Sequence, residues 1–437
     1  VDFLNDVKLP QDEPVGALSP QEWMDAPETV RVLAALSADG ARPRFVGGCV
    51  RDALAHRPVN DIDLATPDPP ERVLDLLGHA GLRAIPTGLE HGTVTAQAGD
   101  RQFEITTLRR DVETDGRHAK VSFTDDWIAD AARRDFTINA LSCRPDGMIY
   151  DPFGGIADLA TGCIRFVGEA RLRIDEDLLR ILRFFRFYAH FGRPPADEAA
   201  LEACRSRAAR VGELSGERVA AELLKLLSAT DPLPALLLMQ GAGVLAALSP
   251  ALGDLARLRT LVFLESRGVM RPSLQPDPVR RLSALLPADK DAAAAVAVRL
   301  RLSNADSDRL CRLAAPDAWP DRRQPAADQR RMIYRLGADA FRDLTLLAWA
   351  AARASEGYGP SGDSDRWMAL LDLADSWTAP NFPLTGTDAL ALGIKPGPRI
   401  GQILRQLETD WQDRDFIPDR AALLEKLATL SRLPPPA

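Results

Sequence analysis

The stretch RFVGGCVRDALAHRPVNDIDLAT, residues 44–66, gathers residue types that handle phosphate and metal. Gly47 and Gly48 stand where a strand should turn into a helix. Without Cβ atoms they let backbone amides approach a triphosphate, and the helix start that follows favours its charge. Arg51 adds a charged donor. Asp61 and Asp63 are two apart in NDIDLAT, whose alternation reads as a strand, so both carboxylates project from one face. Such a pair suits divalent ions that clamp an attacking oxygen and a transferred phosphoryl group. Glu104, in RQFEITTL, is a candidate third carboxylate on a neighbouring strand. Hard oxygen ligands shared with substrate phosphates favour Mg2+. Taken singly, the glycine pair is also an ordinary turn and DID an ordinary strand edge. Together they favour the chemical reading, because two acids facing one way repel unless a metal relieves them.

Holding these groups requires a sheet with helices against it. PRFVGG reads as a buried strand ended by a glycine turn, VRDALAHR as a helix, and ERVLDLLGHAG as a helix closed by Gly81. An earlier helix spans about Pro27 to Ala38. Strand patterns follow at TVTAQAG, RQFEITTL and MIYDPFGG, so the first 165 residues are mixed α/β. After Asp175 leucine and alanine recur at helical spacing, most clearly in DEDLLRILRFFRFYAHFG and SGERVAAELLKLL. The expected division is an N-terminal extension with a first helix (1–40), a sheet-bearing head (41–168), a helical neck (169–255), a helical body (256–356) and a helical tail (366–437). GYGPSGDSD, 357–365, reads as a linker.

At 437 residues the chain has room for several cores. Its formal net charge is −8, yet seven arginines against four acids lie between Arg165 and Arg193. A polyanion responds to that local field, not to the average. No apolar run reaches about 18 residues, which speaks against a membrane span. The acidic start VDFLNDVKLPQDEP lacks the regions of a signal peptide. Five dispersed cysteines point away from a disulfide framework or zinc knuckle and towards a reducing cytoplasm. The five histidines are scattered, with no adjacent His-Asp pair, which disfavours a histidine-based hydrolase.

GGCVRD followed by DID resembles the signature of the nucleotidyltransferase superfamily. RRDFTINAL (133–141), DPFGGIADL (151–159), EDLLRILRFFRF (176–187) and GERVAAELLKLL (216–227) follow in order. With them the chain resembles the bacterial CCA-adding enzyme and poly(A) polymerase family, the class II tRNA nucleotidyltransferases, most strongly over residues 44–230. The resemblance implies an α+β fold: a polymerase-β-like nucleotidyltransferase head with a mixed sheet, then an all-α neck, body and tail. It implies that Arg134 and Asp135 hold the nucleotide, the aspartate accepting from a ribose hydroxyl, with Thr137 and Asn139 as structural hydrogen-bonders. Glu176, Asp177 and Arg180 correspond to a protein template for the base, and Arg183 and Arg186 continue the arginine series towards triphosphate or RNA. Arg218, Glu222 and Lys225 would brace that helix, or form a solvent-facing ladder. Phe184, Phe185 and Phe187 read as core. LRRDVETDGRHAKVS, 108–122, has the polarity of a mobile loop and matches a flexible segment that helps the family switch from C to A addition. In the tail, Gly393, Gly397 and Gly401 with Lys395 and Arg399 resemble a turn feeding amides into a helix start, where RNA phosphate is a suitable guest.

The base-reading chemistry also makes sense by itself. On one helix Glu176 and Arg180 are four apart and Asp177 and Arg180 three apart, so their side chains converge. A carboxylate accepts from an exocyclic amine while a guanidinium donates to the adjacent ring nitrogen. Cytosine and adenine present that pair; uracil and guanine present a carbonyl and an N–H instead. The plain alternative is an intrahelical salt bridge worth about 0.2–0.5 kcal/mol. The expected function is addition of C, C and A to the tRNA 3′ end from CTP and ATP, with Mg2+ as cofactor. The expected partners are the tRNA 3′ end and elbow, with no membrane and no required protein. Alternatives are a poly(A) polymerase, a partial CC- or A-adding enzyme, and a non-catalytic RNA-binding relative. RPVN rather than a lysine-bearing segment before DID, and SRLPPPA in place of a long basic extension, favour tRNA over the polymerase.

Overall fold

The computed structural model describes residues 11–431 apart from 116–117, 270, 272–273 and 357–362. Its strands, in chain order, are β1 (Pro14–Ala17), β2 (Arg44–Val46), β3 (Ile62–Thr66), β4 (Arg83–Gly88) and β5 (Thr93–Ala98), then β6 (Arg101–Thr107), β7 (Arg109–Asp115), β8 (His118–Phe123), β9 (Ser142–Cys143) and β10 (Met148–Tyr150). Eight of them form one mixed sheet in the order β1-β10-β9-β2-β3-β6-β5-β4. All neighbours pair antiparallel except β3 and β6, which run parallel with Asp63 opposite Glu104. Apolar faces of the helices Pro27–Leu36 and Pro70–His79 close over the sheet, where Val32, Leu36, Val73 and Leu77 join Phe45, Leu64, Val94, Phe103 and Ile105. Burying both faces of β3 makes it a nearly continuous apolar run, with Asp63 as its one half-buried polar position.

Four expectations change. The N-terminal extension supplies β1, an added edge strand on β10. Within the expected loop 108–122, Arg109–Asp115 and the residues from His118 onward pair as the two-stranded ribbon β7–β8, while 116–117 lie outside the described residues. MIYDPFGG stops being strand at Tyr150, because Pro152 has no N–H to donate to a ladder. Asp151 instead accepts from Gly155 and Ile156 amides (2.7 and 2.9 Å) and starts the helix Gly155–Thr161. DEDLLRILRFFRFYAHFG is two helices, Ala170–Glu176 and Leu179–Phe191, broken where Asp177 turns extended (φ −151°, ψ 107°). The Asp177 carboxylate accepts from the Leu179 amide at 3.1 Å, a local bond that competes with helix continuation.

The chain forms two compact units, Val1–Gly253 and Asp254–Ala437. In the first, the helix Leu179–Phe191 packs on Gly216–Leu227 and Leu233–Gly241. Its aromatic face meets Phe136 and Phe166 in a cluster with ring centroids 4.7 to 6.5 Å apart. Phe184 and Phe185 are fully buried there, which is the core role expected of them. The second unit is helical. Glu265 lies at its centre between Arg280 and Arg281, 2.6 Å from each, and Arg280 reaches Asp343 at 2.7 Å. Gly401 falls inside the helix Pro398–Asp413, so Gly393 and Gly397, not Gly401, form the tail's turn. Among the described residues no helix is long and apolar enough to cross a membrane.

The aromatic cluster generates a stability expectation. Phe184→Ala should destabilise the first unit by about 3–5 kcal/mol, through lost transfer energy and an incompletely collapsed cavity. Urea unfolding followed by tryptophan fluorescence and circular dichroism measures it, and a loss under about 1 kcal/mol would contradict this packing.

Candidate active site

β2 delivers the chain to Gly47, whose φ of +68° is a conformation that favours glycine. A Cβ there would also stand 2.8 Å from Arg134 Nη1. The Gly47 N–H donates to the Leu141 carbonyl at 3.0 Å, so this residue shapes the turn rather than offering its amide. Gly48 opens the short helix Gly48–Leu54. From that helix Arg51 donates to Asn139 Oδ1 (2.6 Å) and to its neighbour Asp52 (3.0 Å). Its guanidinium lies 5.2 Å from the ring centroid of Phe187 and 4.6 Å from that of Phe191, a cation–π setting.

Asp63 points from β3 into the same space. Burial first, then the Glu104 and Asp61 charges, push its carboxyl up to about 6, against the opposing pull of Arg134 and Arg51. Asp61 sits one residue before β3 and is exposed, as is Glu104 across the parallel pair. Neither lines the cleft itself. Among the described residues no three acidic, histidine or cysteine side chains converge to form a ready-made metal cage. What the geometry offers is crowded negative charge at Asp63, which would suit a hard dication held by few protein ligands.

The opposite wall comes from the helices. Asp177, Leu179, Arg180, Arg183, Phe187 and Arg218 face Gly47, Gly48, Arg51, Asp63, Arg134, Asp135 and Asn139 around a cleft of about 460 Å³. The break at Asp177 changes the pairing expected within this wall. Arg180 binds Glu176 (2.5 Å) and the Arg173 carbonyl (2.8 Å), while Asp177 binds Arg218 Nη2 with both oxygens, at 2.8 and 3.1 Å. An intrahelical Asp177–Arg180 pair is therefore replaced by two separate anchors. Glu176 stands behind the wall, bridging Arg173 and Arg180 at 2.5 Å each. Arg186 does not line the cleft. It is tied to Glu222 at 2.5 Å on the adjacent helix Gly216–Leu227.

Asp135 occupies the junction between the two walls. Its Oδ1 accepts from the Phe136 amide (2.9 Å) and from Asn139 Nδ2 (3.0 Å), and its Oδ2 from Arg183 (2.6 Å). The ribose hydroxyl expected on this carboxylate would share oxygens that already accept from Phe136, Asn139 and Arg183. Asn139, expected to be merely structural, lines the cleft between Asp135 and Arg51. Arg218 and Phe187 likewise reach it beyond the bracing and core roles expected of them. For Asn139 the signal was its spacing of four from Asp135; for Arg218 no local signal existed, because its partner is 41 residues away.

Residues 43–165 match the family described as Poly A polymerase head domain, and residues 197–255 the family described as Probable RNA and SrmB- binding site of polymerase A. The mouse protein named CCA tRNA nucleotidyltransferase 1, mitochondrial, is 35% identical over 388 residues, 87% of this chain and 85% of that one. The Streptococcus gordonii protein named CCA-adding enzyme is 31% identical over 404 residues, 89% and 93% of the two chains. In fold, the chain is similar to the Bacillus stearothermophilus CCA-adding enzyme solved with CTP (TM-score 0.70, 24% identity, covering 93% and 97%). It is similar also to the Thermotoga maritima CCA-adding enzyme complexed with tRNA (TM-score 0.62, 20% identity, covering 96% and 99%).

The Asp135 junction has a pH signature. Burial alone would raise this carboxyl, but Arg183, Asn139 and the Phe136 amide hold it below the usual carboxylate range. A folded value below the unfolded one contributes stability above the unfolded pKa and loses it as pH falls through the folded pKa. Asp135→Asn should therefore cost about 3 kcal/mol near pH 7, and its deficit against wild type should shrink below about pH 4. Urea unfolding of both proteins between pH 3 and 8 checks this; a deficit that stays constant or widens in acid would contradict it.

Proposed function

This chain belongs to the family of CCA-adding enzymes, the CCA tRNA nucleotidyltransferases, and from that premise we propose that its cleft adds C, C and A to tRNA 3′ ends from CTP and ATP. The observation that carries the reading is the single cleft shared by Asp63 of the sheet and Asp177 and Arg180 of the helical wall. A reacting centre and a base reader must be that close if one nucleotide is to touch both. In the reaction the RNA 3′-hydroxyl attacks the α-phosphorus and pyrophosphate leaves.

Arg134 and Arg51, beside the Gly47–Gly48 turn, are the proposed triphosphate contacts, supported by their approach to that turn and to Asp63. Asp61 and Asp63, with Glu104 across the parallel pair, are the residues that would hold Mg2+, which supplies charge neutralisation at the α-phosphate and the entering hydroxyl. Asp177 accepts the exocyclic amine of cytosine or adenine and Arg180 donates to the ring nitrogen beside it. Their anchoring by Arg218 and Glu176 supports that role, since discrimination needs side chains held in one direction. Arg183, held by Asp135 and 3.8 Å from Glu222, completes the positive wall, and Arg186 and Glu222 brace it from behind. Asp135 serves as the fastener of this wall. The tRNA elbow is the proposed guest of the tail. Five unpaired cysteines are in keeping with a reducing compartment, here read as cytoplasm.

The test uses tRNA transcripts ending before CCA, after C and after CC, with oligo(A) as control, given Mg2+ and labelled CTP and ATP separately and together. Growth of the first transcript by three residues and no further is expected. Long ATP-only tails on oligo(A) would instead support a poly(A) polymerase, and no incorporation at all would leave only RNA binding. Asp61→Ala and Asp63→Ala should each lower incorporation about a thousand-fold or more, the loss of roughly 4 kcal/mol of transition-state stabilisation.

A further inference from the structure

Asp130 is only 3% exposed and lies within the helix Trp127–Ala132, outside the cleft lining. Its contacts lead in two directions. Towards the cleft, it binds Arg134 Nη2 at 3.3 Å and Arg133 at 2.7 Å. Arg134 then presents its other terminal nitrogen to the Asn139 carbonyl (3.3 Å) and to the Gly47 turn. Towards the ribbon, the same carboxylate accepts from the Arg109 amide, the first residue of β7, at 3.3 Å. Four residues earlier Asp126 caps the helix through the Ile128 and Ala129 amides and takes Arg110 at 2.7 Å. One short helix thus fastens both opening residues of the ribbon.

We propose that Asp130 is a positioning residue for nucleotide transfer: it aims Arg134 across the Gly47 turn and ties that arginine to the base of the β7–β8 ribbon. The backbone at this point is pinned independently, because Arg173 donates to the carbonyls of Arg133 and Arg134. What remains to be set is the direction of the Arg134 guanidinium, which is held by the Asn139 carbonyl at one nitrogen and by the Asp130 carboxylate, its charged partner, at the other. A long, flexible side chain beside a cleft loses that direction when its charged partner becomes neutral. The inference rests on the nucleotidyl-transfer reading and on Arg134 as a triphosphate contact.

The experiment is a double-mutant cycle on C incorporation into tRNA lacking CCA, with wild type, Asp130→Asn, Arg134→Ala and the double variant. Asp130→Asn is expected to raise the KM for CTP about tenfold with kcat changed less than about threefold, because the lost contact is to bound substrate. In the Arg134→Ala background the same substitution should have no further effect, since it acts through the missing guanidinium. Effects that multiply in the double variant would overturn the proposal, as would a lowered Tm with unchanged KM. If Asp130→Asn fails to fold, Asp130→Glu carries the test: it keeps the charge but shifts it by one methylene, and an unchanged KM in the folded protein would overturn the proposal. An inactive wild type would sink the functional reading itself, whereas an active wild type with an indifferent Asp130→Asn sinks only this inference.

Discussion

The structure of the first unit turns on one ion pair, the buried Asp135 with the half-buried Arg183. The carboxylate belongs to the segment between the helix Trp127–Ala132 and β9, and the guanidinium to the helix Leu179–Phe191, so the pair fastens the head side of the cleft to the helical wall. An exposed pair of this kind contributes about 0–1 kcal/mol, but stripping one partner from a buried pair costs about 3–5 kcal/mol. The bond radiates outward. Through Asn139 it orders Arg51 above the glycine turn, and through Arg183 it neighbours Glu222 and Arg186. Without it the two walls would still share aromatic packing and the Arg173 bonds to the Arg133 and Arg134 carbonyls, but would lose the carboxylate–guanidinium tie between them.

A net charge of −8 is compatible with a strongly cationic cleft once the charges are placed. Arg51, Arg134, Arg180, Arg183 and Arg218 all line one cleft of about 460 Å³. Most of them are held by an acid that sits behind or beside them, as Glu176 holds Arg180 and Asp135 holds Arg183. The acids lower the net field, yet they give each guanidinium a direction. That exchange suits recognition, because a rigid donor loses less entropy on meeting its ligand than a free one.

Much of the head was legible from local pattern. Period two places Asp63 and predicts β3, β5 and β6, and a glycine pair after an apolar run marks the turn at Gly47. The parallel pairing that sets Glu104 opposite Asp63 was not, since register between residues so far apart in the chain is a property of the sheet. EDLLR misled in a different way. Its spacing fits one helix, but the Asp177 side chain bonds the Leu179 amide and Arg218 binds the carboxylate from another helix, so the local pattern lost to a local cap and a distant charge. Asp130 stayed hidden for the same reason: its i,i+3 and i,i+4 arginines are visible in sequence, but its burial and its bond to the ribbon are not.

Residue types and order by themselves determined the fold class, the membership of the family and the candidate acids at 61 and 63, because each of these depends on neighbours within a few positions or on motifs in sequence. Tertiary structure alone decided which candidates meet. It brought Asn139, Arg218 and Phe187 to the cleft, left Glu176 and Arg186 behind its wall, and gave Asp177 and Arg180 separate anchors. The physical reason is that a hydrogen bond or ion pair forms within a few ångströms in space, and for Arg218 and Asp177 those ångströms span 41 residues of chain.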